Sequence, residues 1–382
     1  CRATRGGGLF RTNTSGSSAT TTLDRVAVRG NLAEGDSGGI WIVGDAPQAQ
    51  LTNLWIRNNQ APSGGGGIWA KGQVNAQQLQ IEGNFGGVGG GVLVDNADFD
   101  LDRATFQDNV GTTGAGVALV GSANSAFQDV TFYDQHASGA AAIDVAGSSR
   151  LLVNYGTIFA NASSGGAAIR THGSNSDLEI AESIIWSNST TTGSADVAST
   201  FDIIHSLISG CPAGVTCTNL VSGAGSPVVV PPVTHHDFVR VFSITPLSAA
   251  ADAGTGMCPE LDARGAGRAV NSITGLPGNC DLGAFEFWPM PYLYFDATKA
   301  SWAETAYNEG AHFFIPHTYP DDITFVYTHT GGTATPGDDF QVTGGQAAIR
   351  AGLTTVTVLP KLIDDSLYEK PETLDITVSN LV

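Results

Sequence analysis

Basic residues are scarce in this chain. Only 17 Lys and Arg stand against 36 Asp and Glu in 382 residues, a formal net charge of −19. A chain this acidic excludes nucleic acid and anionic membrane as partners, because both are held by basic patches. No run of 18 apolar residues occurs, so no membrane-spanning helix is expected. Sustained helical periodicity is also missing, which excludes a helical solenoid. Charged residues are only 14% of the chain and Gly fills 49 positions, the profile of a stacked β architecture whose corners need positive φ.

What is present is a repeat. Apolar residues and a closing polar residue recur as Leu23-Val26-Val28-Asn31, Leu51-Leu54-Ile56-Asn59, Ala76-Leu79-Ile81-Asn84, Leu101-Ala104-Phe106-Asn109, Phe127-Val130-Phe132-Gln135, Val153-Gly156-Ile158-Asn161 and Ile180-Ser183-Ile185-Asn188. The closing residues are 28, 25, 25, 26, 26 and 27 positions apart. A second column of small corner residues before short apolar strands keeps the same period, at Gly8-Leu9, Gly39-Ile40, Gly67-Ile68, Gly91-Val92, Gly116-Val117, Ala142-Ile143 and Ala168-Ile169. A fixed period in the twenties marks units that bury their apolar face only against neighbours. Short Val-, Ile-, Phe- and Thr-rich runs bounded by Gly, Asn, Ser and Asp make each unit a β coil, so residues 1–199 read as a parallel β-helix. Asn31, Asn59, Asn84, Asn109, Asn161 and Asn188 are expected to form a ladder that satisfies corner backbone groups from coil to coil. Leu54, Leu79, Phe106, Phe132 and Ile158 are expected in one buried file.

Beyond about Thr200 the repeat is lost and Pro becomes frequent. Residues 200–290 read as the end of the helix, its cap and a linker, because a solenoid needs an atypical terminal cover. Cys211 and Cys217 lie six apart, and Cys258 and Cys280 flank a Gly- and Pro-rich loop. These pairs read as two disulfides and place the chain in an oxidising, extracellular or cell-surface setting. Without Cys-x-x-Cys spacing and with scattered His, zinc binding is the weaker alternative. No signal peptide is recognisable, and Cys1 falls inside a coil already under way, so a piece of a longer protein is expected.

The run Cys280-Asp281-Leu282-Gly283-Ala284-Phe285-Glu286, with upstream Asp262-Ala263-Arg264-Gly265 and Arg268, resembles the close of secreted bacterial β-helix proteins of the choice-of-anchor or polymorphic-outer-membrane-like kind. The resemblance implies a right-handed parallel β-helix exported to the cell surface. Residues 291–382 have different punctuation, with strand-like runs at Tyr292–Phe295, Ala311–Pro316, Ile323–Tyr327, Thr354–Leu359 and Thr373–Val378 alternating with turns, as in an antiparallel sandwich. Asn308-Glu309-Gly310, then Gly332 through Phe340, then Ile363-Asp364-Asp365 with Glu369 and Glu372-Thr373-Leu374, resemble a Calx-β module. Its match stops at Val382, short of the family's final strand. The resemblance implies a calcium site built from Glu309, Asp339, Asp364, Asp365, Glu369 and Glu372, a hard-oxygen set suited to that ion. No motif for an organic cofactor is present.

Catalysis on a β-helix would need paired carboxylates along a groove. Candidates are Asp100 and Asp102, Asp129, Asp134 with His136, and His235-His236-Asp237. Asp102 and Asp129 are expected at outward positions, and Asp134 at a corner where Asp serves turn chemistry. Two residues before each ladder position, Arg29, Arg57, Glu82, Gln107, Tyr133, Phe159 and Trp186 form an outward column. Its aromatic end, Tyr133, Phe159 and Trp186, is either a binding strip for a sugar or protein or a bed for the segment that follows. The expected whole is an all-β, non-catalytic extracellular surface protein of adhesin-like kind, with a surface glycan, a protein or copies of itself as partners. A head-to-tail filament subunit and a secreted polysaccharide lyase or glycosidase are the alternatives.

Overall fold

The computed structural model describes residues 2–3, 7–12, 20–44, 49–173, 175–190, 197–198, 201–208, 211–212, 215–223, 227–228, 233–235, 239–255, 258–268, 270–272, 278–289, 293–296, 310–315, 318–319, 321–341, 344–358, 362–364 and 371–381. The chain divides into two compact units, Cys1–Phe287 and Trp288–Val382. The described secondary structure is all β, and among the described residues no helix is long and apolar enough to cross a membrane.

The first unit is a parallel β-solenoid with three faces. The long face stacks nine-residue strands such as Ala49–Arg57, Val74–Glu82 and Phe99–Gln107. A second face stacks four-residue strands, among them Ile68–Lys71, Val92–Asp95 and Val117–Val120, directly after the Gly corners. The third holds short strands such as Phe85–Val88 and Val110–Thr113, directly after the ladder. Both sequence columns fall into exact register: Leu51 opposes Ala76, Ala76 opposes Leu101 and Leu101 opposes Phe127, while Ile68 opposes Val92 and Val92 opposes Val117. At the Gly corners the coils approach too closely for a side chain. A Cβ on Gly67 would lie 2.5 Å from the carbonyl oxygen of Gly91.

The expected single file of core residues is two files. Leu54 and Leu79 stack with Ala104 and Val130, whereas Phe106, Phe132 and Ile158 continue the column of Ile56 and Ile81. All of these are completely buried. The two files alternate in bulk, so Ala104 makes room where Phe106 and Phe132 stack with centroids 4.5 Å apart.

The ladder is continuous from Asn31 to Asn188. Each interior Asn uses all of its amide. Asn84 donates from Nδ2 to Asn109 Oδ1 at 3.0 Å and to the Ile56 carbonyl at 2.9 Å, while its Oδ1 accepts from the backbone and side-chain nitrogens of Asn59 at 3.1 and 3.0 Å. Gln135 fills the one non-Asn rung between them. Its backbone N–H still reaches Asn161 Oδ1 at 3.1 Å, but the longer side chain turns its Nε2 to the Tyr133 carbonyl at 2.6 Å. Gln135→Asn should restore the side-chain rung and raise unfolding free energy by about 1 kcal/mol. Urea unfolding of both proteins measures this, and an unchanged midpoint would mean the Gln rung is already equivalent.

The solenoid runs beyond the expected boundary at residue 199. Asp202–Ile204, Leu207–Ile208 and Thr216–Thr218 continue the long face, and Val215, Cys217 and Leu220 pack on the last of its core. This coil was hidden because Cys211 stands where the pattern calls for Asn; Ser206, in register with Ser183, accepts from the Ser183 N–H at 3.0 Å as Ser183 accepts from that of Gly156. Cys211–Cys217 and Cys258–Cys280 are disulfides, with Cα atoms 6.0 and 5.9 Å apart.

The segment 228–287 was expected to cap the end of the stack. It instead folds back along the outside of the long face. Val228, Val241, Phe242, Ile244, Ala250, Ala263, Leu282, Ala284 and Phe285 form a second core with outward-facing Phe159, Ile184 and Leu207. The coils just before Ile184 carry Gln80, Thr105, Thr131 and Thr157 in its column, so Ile184 and Leu207, with Phe159 beside them, give the end of the stack an apolar outer surface that supplies the reason for the fold-back.

The second unit contains two three-stranded antiparallel sheets. One joins Tyr294–Phe295, Ala311–Phe314 and Thr355–Val358, the other Gly344–Ile349, Ile323–Gly332 and Leu374–Ser379. Phe313, Phe325 and Val358 meet in a shared core. The strand Gly344–Ile349 escaped the sequence reading because its Gly-Gly-Gln-Ala-Ala start has weak β propensity.

Candidate functional site

Halfway along each long strand one residue adopts a left-handed conformation: Asn53, Gln78, Arg103, Asp129, Tyr155 and Glu182 all have φ between 51° and 58°. Only Asn and Asp enter this region readily, so the conformation is imposed on the others by the stacked register. From Arg103 to Glu182 the column forms the bed on which segment 228–287, here termed the flap, is latched.

The latch centres on Arg268, whose guanidinium is fully buried. It donates to Asp129 Oδ1, to the Gly283 carbonyl at 2.7 Å and to the Asp281 carbonyl at 3.2 Å, approaches Glu286 Oε2 at 3.5 Å, and lies over the Tyr155 ring at 4.6 Å. Tyr155 Oη in turn sits 3.2 Å from Cys280 Sγ. Beside it the Gly283 N–H donates to the Glu182 carbonyl at 2.9 Å and the Ala284 N–H to Thr157 Oγ1 at 3.0 Å. Gly283 has φ of 83°, and a Cβ there would meet Thr157 Oγ1 at 2.7 Å, so glycine is what lets the flap backbone touch the coil. Glu182 also accepts from Thr255 N and faces His205 Nδ1 at 3.1 Å.

The remaining motif residues knit the flap to itself. Buried Asp262 accepts from the N–H groups of Arg264, Ala266 and Glu286 and pairs with Arg264, which lies over Phe285 at 3.9 Å. Asp281 accepts from Asp252 N and Ser272 Oγ, and Glu286 from Val270 N and Asp281 N. The cluster thus holds four buried carboxyls, Asp129, Asp262, Asp281 and Glu286, against two guanidinium groups.

That imbalance has a pH consequence. Burial pushes Asp129 up to about 7 against the opposing pull of Arg268. Burial raises Asp281 and Glu286 as well, and their proximity drives Glu286 further. A carboxyl with a higher pKa folded than unfolded binds its proton more tightly in the folded state. Its contribution to stability is complete below the unfolded value of about 4 and is lost as pH rises through the folded value. These three groups should therefore make the melting temperature fall steadily from about pH 4 to pH 8. Calorimetry across this range checks it, and a rising profile would show Asp129, Asp281 and Glu286 ionised throughout.

No family model, curated protein or solved structure matches this chain.

The candidates read from the sequence fall into separate places. Tyr133 and Phe159 lie against Phe242 with centroids 4.7 and 4.9 Å away, and Trp186 packs on the same core, so the aromatic column is the bed of the flap and not an open strip. Asp129, expected at an outward position, is outward but sealed under the flap. Asp102 pairs with Arg103 at 3.0 Å and accepts from Gln77, and Asp100 accepts from the Ala126 N–H. His236 and Asp237 lie outside the described residues, and the hairpin strand ending at His235 pairs with Val239–Val241. Asp134 occupies a left-handed corner before the ladder, as its turn role requires, and converges with Asp108 and His136, whose donor atoms lie within 4.8 Å of one another.

Of the implied calcium set, Glu309, Asp365 and Glu369 lie outside the described residues. The other three belong to one loop cluster. The Ile363 N–H donates to the Asp339 carbonyl at 2.8 Å, Phe340 bridges Leu362, and Thr333 and Ala334 N–H donate to the Thr373 carbonyl. This brings Asp339, Asp364 and Glu372 to the same end of the second unit, although they do not converge as a three-ligand group.

Sequence reading missed Arg268 as the centre of the buried latch. The signal was present in the motif itself: Asp262, Arg264, Arg268, Asp281 and Glu286 concentrate charge in a segment otherwise rich in Gly, Ala and Pro.

Proposed function

We propose that this chain is a non-catalytic extracellular structural protein whose solenoid serves as a rigid spacer and display surface and whose second unit is a calcium-responsive, Calx-β-like module. One observation carries the reading. The outward side of the long face over the later coils, from Thr105 to Leu207, is occupied by the chain's own flap, and the carboxylates buried there are spent on the Arg268 latch. A glycan could reach Asp129 only by displacing that core. Two disulfides support an oxidising destination, and the net charge of −19 supports a soluble, weakly self-associating surface.

Antibody labelling of intact producing cells tests the destination: surface signal before lysis is expected, and signal only after lysis would contradict it. Incubation of the purified chain with neutral and acidic polysaccharides should release no product ends. For the second unit, millimolar calcium should raise the unfolding temperature of its transition in the intact chain, in the affinity class of extracellular modules at about 10⁻⁴–10⁻³ M. Asp364→Ala should remove the shift, and a calcium response unaltered in that variant would place the ion elsewhere.

A further inference from the structure

Cations elsewhere on the solenoid are matched to carboxylates: Lys71 to Asp95 at 2.9 Å, Arg150 to Asp177 at 3.1 Å and Arg170 to Asp144 at 2.9 Å. Arg29 and Arg57 are not. They are Cα partners on adjacent parallel strands of the long face, so their side chains leave the sheet about 4.8 Å apart. Neither makes an ion pair or a side-chain hydrogen bond among the described residues. Like charges set directly opposite each other destabilise a sheet, and the acid in register on the other side of Arg57, Glu82, is engaged by Gln80 Nε2 at 3.1 Å and by Arg240 and makes no ion pair with Arg57. The Arg57 guanidinium lies over the Trp55 ring at 4.2 Å. Ala27, the Cα partner of Trp55, is small and exposed and leaves a step beside the indole. The nearest described ion pair of the flap lies one coil further on, from Arg240 to Glu82.

We propose that Arg29, Arg57 and Trp55 bind an anionic carbohydrate. One carboxylate or sulfate oxygen set is shared by the two guanidinium groups, and the sugar ring packs into the step beside the indole. Arg offers planar forks that match such oxyanions, and an aromatic ring beside them suits a sugar face. A nucleic acid or an anionic membrane would need many more cations than two, and would be repelled by the rest of the surface. The proposal names a ligand class for the display surface and rests on that reading. Binding by the purified chain is measured independently of where cells place it, so the two can fail separately.

The test is isothermal titration of the intact chain at low salt with trigalacturonate, a sulfated disaccharide, neutral maltotriose and sodium sulfate. At least one acidic sugar should bind, and the tighter of the two identifies carboxylate or sulfate as the natural group. The Arg29→Gln/Arg57→Gln variant should weaken that binding by about tenfold or more, Arg57→Lys by less, and maltotriose should not bind. Arg29→Gln alone, at an exposed position, gives the same readout if the double variant does not fold. Equal affinity in the Arg variants, equal binding of maltotriose, sodium sulfate binding as tightly as the sugars, or no binding of either acidic sugar by about 10 mM would each overturn the proposal.

Discussion

Arg268→Ala should lower the unfolding free energy by about 3–5 kcal/mol, because it leaves a buried carboxyl cluster without its central cation. The loss has three parts. Asp129 keeps its place under the flap with no partner for Oδ1, the carbonyls of Asp281 and Gly283 lose their donors, and the Tyr155 ring loses the guanidinium stacked on it. Arg268→Lys should recover only part of this, since one ammonium cannot span the planar set of acceptors. Asp129→Asn combined with Arg268→Met should be milder than Arg268→Ala alone, because removing both charges of a buried pair costs less than stranding one. Urea denaturation of the parent and the three variants measures this ranking. Equal stability of Arg268→Ala and the parent would mean that the flap is held by its apolar contacts only.

Asn84→Ala should cost a similar amount, about 3–5 kcal/mol, through a different mechanism. Asn84 is completely buried and engages Asn59, Asn109 and Ile56 at once. Alanine takes the Asn84 partner from the Ile56 carbonyl and from the Asn59 N–H, at about 1–3 kcal/mol for each unsatisfied group, and leaves Asn109 Oδ1 with only the residue 84 N–H. Asn84→Asp keeps the acceptor but buries a charge and loses both donors, so it should be no better. The same substitution at Asn31, at the start of the ladder and 8% exposed, should cost less. A ladder Asn replaced without loss would show that the coils are held by core packing alone.

The two buried columns and the ladder were legible because a stacked coil repeats its own constraints: the same corner must be turned at every level, so the same residue types recur at a fixed spacing. Gln135 shows the tolerance of that code, keeping the backbone rung while giving up the side-chain one. The disulfides were legible from short separations. The split between the Leu54 and Phe106 files was not, because both columns are simply apolar, and only the pairing register separates them. The left-handed column was invisible for a related reason: Arg103, Tyr155 and Glu182 carry no turn signature, and their conformation comes from neighbours above and below. The flap was misplaced because its partner lies 139 residues away at Asp129, a distance over which no periodicity speaks. Its apolar residues looked like an end cap, although the aromatic column of Tyr133, Phe159 and Trp186 already offered a bed for the segment that follows.

The closed outward face is the account's central claim, and hydrogen–deuterium exchange of the intact chain reads it directly. The N–H groups of Gly283 and Ala284, donated to Glu182 and Thr157, and that of Arg240, donated to Thr105 Oγ1 at 3.0 Å, exist as protected amides only while the flap lies on the coils. Peptides covering residues 239–245 and 281–287 should exchange as slowly as the solenoid strands beneath them, and Arg268→Ala should release both while residues 74–107 stay protected. Fast exchange of the flap peptides in the parent chain would contradict the account and leave Tyr133, Phe159 and Trp186 open to an outside ligand.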